Sequence, residues 1–200
     1  MSFTISPMAK LDAVNICLSS MGEPVVNSLD GAAVDAQMAS DLVDETSRSV
    51  QAMGWHWNYE RHTLSPDVNG EIVLPQNTLR IDTIQDDRKT DVVQRGLKLF
   101  DVNNSTYQFT DPLKVEMFVQ LPFEDLPNTA KQFITIRAAR KLQQRLLGSD
   151  TLDKYAQESE QQAWVALMQE EADTIDANML DAWQTQRIIA RGSFARGAFF

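Results

Sequence analysis

The sequence predicts an α+β protein in which an antiparallel helical bundle carries an inserted antiparallel β domain. Three observations carry this prediction. Apolar residues recur at three- and four-residue steps near both ends of the chain: Leu11, Val14, Leu18 and Met21 in one stretch, Phe133, Ile134, Ala138 and Leu142 in the other. Between them the pattern changes at Trp55 to short alternating runs, and it changes back after Pro122. Those runs follow one another too closely for crossover helices, which leaves antiparallel connections. The expected units are a bundle of residues 1–55 and 123–183, a β domain of residues 56–122, and a C-terminal docking tail of residues 184–200.

Ser6-Pro7 reads as an N-cap followed by the proline favoured at the first helical position. Gly22 and Pro24 stop that helix. A second opens at Asp30 or Gly31, turns Val34, Met38, Leu42, Val50 and Met53 inward, and ends at Gly54. Trp55, Trp57 and Tyr59 then alternate with His56 and Asn58, the period of a half-buried strand. Further strand runs are expected at 71–74 and 79–82. A hairpin is expected from 97–102 and 106–109 around Asn103-Asn104-Ser105. The last strand places Val115, Met117, Val119 and Leu121 on one face, and the predicted order is a meander. Glu124, Asp125 and Pro127 suit the start of a third helix, with carboxylates near the positive end of its dipole. Its inward side is Phe133, Ile134, Ile136, Ala138, Leu142 and Leu146, and Gly148 is placed to end it. Ser149 or Asp150 caps a long fourth helix through Leu152, Tyr155, Ala163, Leu167, Ala172 and Ile175.

Composition narrows the function. The 200 residues are 43% hydrophobic and 23% charged, the balance of a chain that buries a core. No apolar run approaches the ~20 residues of a membrane span, and Met1 to Lys10 lacks the pattern of a secretory signal. Cys17 is the only cysteine, which rules out an intrachain disulfide and a thiolate metal cluster. A net charge of −10 argues against a surface that grips nucleic acid, while an acidic wall suits DNA that passes without being held.

No phosphate-cradling loop, dinucleotide fingerprint, zinc-protease pair or nucleophile elbow occurs, so no catalytic residue, cofactor or metal is expected. His56 and His62 read as structural, because two imidazoles alone make a poor metal site. The pairs Asp86-Asp87, Glu124-Asp125 and Glu170-Glu171 read as solvated acids and not as a glycosidase dyad, which needs one carboxyl held across a cleft with its pKa raised. Two basic features remain. Lys131, Arg137, Arg140, Lys141 and Arg145 make the third helix a candidate basic face, or else an ordinary face paired with the acids of helices two and four. From Gln184 onward there is no acidic residue, and Arg187, Arg191 and Arg196 alternate with Ile188, Ile189, Phe194, Phe199 and Phe200 around Gly192 and Gly197. Such a segment either packs back on its own domain or docks on another chain, and docking is the favoured reading.

Several segments, in order, resemble the tail tubular protein A family of T7-like short-tailed phages. They are Leu11-Asp12-Ala13-Val14-Asn15 with Ser20-Met21-Gly22-Glu23-Pro24-Val25, then Gly54-Trp55-His56-Trp57-Asn58. Leu74-Pro75 before Leu79-Arg80-Ile81 and Leu126-Pro127 follow, then Arg137-Ala138-Ala139-Arg140 leading to Gln144-Arg145 and Gly148-Ser149. The resemblance runs from about residue 8 to 182. It implies a virion tail protein, made in the host cytoplasm, that forms a dodecameric head-to-tail adaptor ring. The portal protein would lie above the ring and a nozzle protein of the tail tubular B type below it, with DNA passing through the centre during ejection without specific binding. The docking tail would then engage the portal. The alternatives are a carbohydrate hydrolase carried on the tail and a head-completion connector of another phage lineage.

Overall fold

A computed structural model describes residues 7–84 and 90–174. Helices α1 (Lys10–Ser19) and α2 (Val34–Gln51) precede strands β1 (Tyr59–Leu64), β2 (Thr78–Thr83), β3 (Val92–Arg95), β4 (Lys98–Asp101) and β5 (Leu113–Val119). Helices α3 (Asn128–Leu146) and α4 (Asp150–Thr174) follow. The fold is α+β with antiparallel pairing in both sheets, the class the periodicity predicts. Two apolar clusters form. One joins the helices through Val14, Cys17, Leu42, Val50, Phe133, Ile134, Leu142 and Leu167. The other joins the strands through Ile72, Leu74, Ile81, Leu99, Val115 and Met117, and Leu121 packs against both. Burial pushes the Cys17 thiol up to about 12, which leaves it a small hydrophobe with no thiolate chemistry near neutral pH.

The helix boundaries and faces differ from expectation at named positions. α1 starts at Lys10, later than Ser6-Pro7 predicts, because the Asp12 carboxylate accepts the Ala9 N–H at 2.9 Å and serves as the cap. α2 starts at Val34, not at Asp30 or Gly31. Its buried stripe is Ala36, Ala39, Leu42, Val43, Thr46, Ser47, Val50 and Gln51. These mostly small side chains let α1 and α3 approach closely, and the stripe they define leaves Val34 and Met53 exposed (72% and 45%). Glu124 and Asp125 lie in a separate 3-10 turn (Phe123–Asp125), and Pro127 precedes the first residue of α3. Leu146, Leu152 and Tyr155 are also exposed, Tyr155 at 69%, and so is Ala172. Among the described residues α4 buries only Ala163, Leu167 and Glu171; Trp164 also packs on Phe133 and Trp55, and Asp153 and Glu160 pair with arginines of α3. Ile175 lies outside the described residues.

The sheet is not a meander. Its order is β1-β5-β2, with the last strand between two that precede it, and β3-β4 forms a separate hairpin. β5 is central because Leu113, Val115, Met117 and Val119 are all buried on one face. The expected hairpin around 103–105 is also displaced: β4 pairs upstream with β3 through a turn at Gly96 (φ +63°), and Thr106 adds only a single bridge to Asp101. The buried Asp101 carboxylate accepts the Asn104 N–H at 3.0 Å and its Nδ2 at 2.8 Å, which closes the 101–104 turn and ends the strand. Residues 71–74 contribute isolated bridges and no strand. Residues 56–58 form a 3-10 turn. There Trp55 stacks on Trp57 at 6.1 Å, and the Asn58 side chain accepts the Trp55 N–H, which closes the turn.

Candidate functional site

The chain crosses between helices and strands twice, at 51–59 and 119–123, and two buried amides join the crossings. Gln51 Nε2 donates to the Ser47 hydroxyl and to Leu121 O, each at 3.0 Å, and its Oε1 accepts the Leu121 N–H at 2.8 Å. Asn58 Nδ2 donates to Gln51 O at 2.9 Å and to Val119 O at 3.1 Å, and its Oδ1 accepts the Trp55 N–H at 2.8 Å. Trp55 Nε1 donates to Val50 O at 2.7 Å. Both amides are thus engaged through nitrogen and oxygen alike, so the network fixes one arrangement of the backbones it joins. Gly54 closes the junction from outside. Its φ is +85°, and an added Cβ would stand 2.8 Å from Phe118 Cε1 and 3.0 Å from Arg80 Nη2. Sequence reasoning missed Gln51 and Asn58. The available signal was a polar residue on the inward helical stripe directly after Val50.

The cations of α3 are engaged within the chain. Arg140 donates through Nε and Nη2 to both Asp153 oxygens (2.7 and 3.1 Å) and through Nη1 to Glu160 at 2.9 Å. Arg137 lies 3.5 Å from Glu160. Lys141 and Arg145 meet Glu45 of α2 at 3.4 and 3.3 Å, and these two contacts, Arg145 first, lower the Glu45 pKa. Lys131 is buried and donates to Glu124 O at 2.7 Å. The Arg140 hydrogen bond, with a second from Gln144, holds the Asp153 carboxyl below its ordinary value. A carboxyl lowered on folding contributes stability that is complete above the unfolded value of about 3.9 and is lost as pH falls through the folded value. Arg140→Gln should therefore move acid unfolding to higher pH, read by circular dichroism. An unchanged acid midpoint would show that this exposed cluster contributes nothing measurable.

Other candidates are placed as follows. His56 receives Glu171 at the end of α4: the backbone N–H donates to Oε1 at 2.9 Å and Nδ1 lies 2.5 Å from Oε2. His62 pairs with Glu60 at 2.6 Å. Glu170 accepts from the Thr129 hydroxyl, and with Glu171 on His56 this acidic pair ties α4 to its neighbours. Asp86-Asp87 lies outside the described residues, where no placement is given. Among the described residues no group of three or more His, Cys, Asp or Glu is gathered to hold a metal, and no helix is long and apolar enough to cross a membrane. A groove of about 450 Å³ runs between α3 and α4, with Met53, Phe133 and Trp164 beside Arg137, Arg140 and Glu160. Trp164 stands edge-on to Trp55 at 5.8 Å. The tail residues Arg187, Ile188, Ile189, Arg191, Phe194, Arg196, Phe199 and Phe200, with Trp183, lie outside the described residues.

Comparison with known proteins places this geometry. A family model described as tail tubular protein matches residues 11–177, which spans the described helices and strands from α1 to α4 and stops before the basic tail. The chain is 29% identical over 154 residues to tail tubular protein A of Klebsiella phage KP34, covering 76% of this chain and 82% of the relative. Because the match takes in the helix pairs and the strands between them as one ordered unit, the chain belongs to the tail tubular protein family and is a structural protein of a bacteriophage tail.

Proposed function

We propose that this protein is the adaptor between head and tail, a dodecameric ring seated between portal and nozzle with a central channel for the genome, and that it has no enzymatic role. The observation that carries the reading is the ordered match over residues 11–177 to tail tubular proteins, with a relative of the A type. The junction supports it. A ring subunit repeats one geometry around a closed circle, so small errors of orientation between its parts accumulate. Two crossings joined by the buried amides of Gln51 and Asn58 hold that orientation. The two apolar clusters that meet at Leu121 fit a bundle of residues 1–55 and 123–183 carrying an inserted unit of residues 56–122. DNA passes without specific binding, since the chain is acidic overall and the α3 cations are occupied by Glu45, Asp153 and Glu160.

The tail of residues 184–200 is assigned to the portal contact. Its arginines and phenylalanines are anchor types at interface centres, and it lies beyond the family match. Deleting Arg187 onward should leave melting nearly unchanged and weaken attachment to purified portal rings by roughly tenfold or more. If the truncated chain unfolds, the tail belongs to the core. If it binds portal rings as tightly as the full chain, the contact lies elsewhere.

A further inference from the structure

Among the described residues, the arginines of α3 and those of the strand region differ in their partners. Arg137, Arg140 and Arg145 on α3 each have a carboxylate within 4 Å. The arginines of the strand region have no such ion pair among the described residues. Arg61, Arg80 and Arg95 lie over the rings of Tyr59, Phe118 and Phe100, with 5.6, 4.2 and 3.5 Å from guanidinium carbon to ring centroid. Two of these, Arg61 and Arg80, stand on one face of the three-stranded sheet, in adjacent rows. In the β1-β5-β2 register Tyr59 faces Phe118 and Arg80 faces Phe118, on the side opposite the buried Val115 and Met117. The row therefore reads Tyr59, Phe118, Arg80 across the outer face of the sheet, with the two rings 5.5 Å apart, and Arg61 stands in the next row, opposite Glu116. Arg61 Nε donates to the Tyr59 hydroxyl at 2.6 Å, and that hydroxyl donates to Glu116 at 3.0 Å. Gly54 leaves just the space that Phe118 and Arg80 occupy.

We propose that this outer face is a contact face for a second copy of the chain, with Arg80 and Arg61 receiving carboxylates of the neighbouring subunit. A guanidinium stacked on a ring loses little freedom on pairing, and Arg61 keeps its terminal Nη groups beyond the Nε given to Tyr59, which suits capture of a carboxylate. A second copy supplies the complementary charge, since the chain carries 28 acidic residues against 18 Lys and Arg. A nucleic acid fits less well. Two arginines flanked on the same face by Glu116 and Asp82 give too little positive charge to offset a phosphate backbone. The proposal rests on the ring reading, in which identical subunits need a heterologous contact.

The test follows self-association of the full chain by sedimentation, alone and on purified portal rings, at low and high salt. The variants are Arg80→Glu, Arg80→Lys and Arg61→Gln, with melting curves as fold controls. Arg80→Glu and Arg61→Gln should each weaken association between copies roughly tenfold to a hundredfold. Arg80→Lys should fall between them and the wild type, and salt should weaken the wild type more than the variants. Wild-type rings with all three variants associating normally would overturn the assigned face and leave the ring reading standing. A wild type that never associates with itself, even on portal rings, would contradict the ring reading and the proposal with it. If Arg80→Glu fails to fold, Arg61→Gln in the adjacent row of the same face decides. Arginine-dependent binding of a duplex DNA fragment without self-association would give the face to nucleic acid and overturn the proposal.

Discussion

Replacing Gln51 by Leu is expected to lower unfolding stability by about 2–4 kcal/mol, although the new side chain is apolar and similar in size. The substitution strands the Leu121 N–H and C=O, which the Gln51 amide satisfies at 2.8 and 3.0 Å. A buried backbone group left without a partner costs about 1–3 kcal/mol, and here two are left at once. Asn58→Ala should cost a similar amount by stranding Val119 O and the Trp55 N–H. The double variant should cost less than the sum, because Asn58 also donates to Gln51 O and the two amides hold the same crossings. Urea unfolding followed by tryptophan fluorescence reads this directly, since Trp55 and Trp57 lie beside the network. Losses below about 1 kcal/mol in both single variants would mean that water replaces the amides and that the junction is not fixed by them.

The second large effect is expected at Gly54. At φ +85° any L side chain is strained, at roughly 1–2 kcal/mol. Its Cβ would also meet Phe118 at 2.8 Å and Arg80 at 3.0 Å. Displacing a stacked pair to make room adds about 1–3 kcal/mol, so Gly54→Ala should lower the melting temperature by roughly 5–15 °C. Alanine at Gly96, where φ is +63° and an added Cβ meets nothing within 4 Å, isolates the backbone component and should cost clearly less. Equal losses at the two positions would remove the close approach from the explanation.

What was legible in the sequence was local. The stripe of Leu42 and Val50, the alternation of Val115, Met117 and Val119, and the stop at Gly54 depend on near neighbours, and helices and strand stand where those patterns put them. What was not legible depends on partners far along the chain. Nothing local says that β5 inserts between β1 and β2, a choice made when its apolar face meets Ile72, Leu74 and Leu99. Val34 and Met53 have helical spacing from Leu42 and Val50, yet the side that meets α1 and α3 buries Ala36, Ala39 and Val43 instead. The same limit applied to charge. Pairing of the third-helix cations with acids of helices two and four was one of the two readings the sequence offered, but which acids meet Arg140 and Lys141 is set by how α2, α3 and α4 come together. Asn58 carries no signature of its own, and Gln51 only its place beside Val50 on the inward stripe. An amide reads as surface until the backbone groups it serves are known.

The central claim is that this tail protein forms a ring joining portal to nozzle, and electron cryomicroscopy of the full chain incubated with purified portal rings tests it most directly. The account predicts a closed dodecameric ring, coaxial with the portal, with an open channel on the axis and the nozzle protein adding only to its far side. Single copies scattered on the portal, a ring without an open channel, or attachment to the outside of the tail would contradict it.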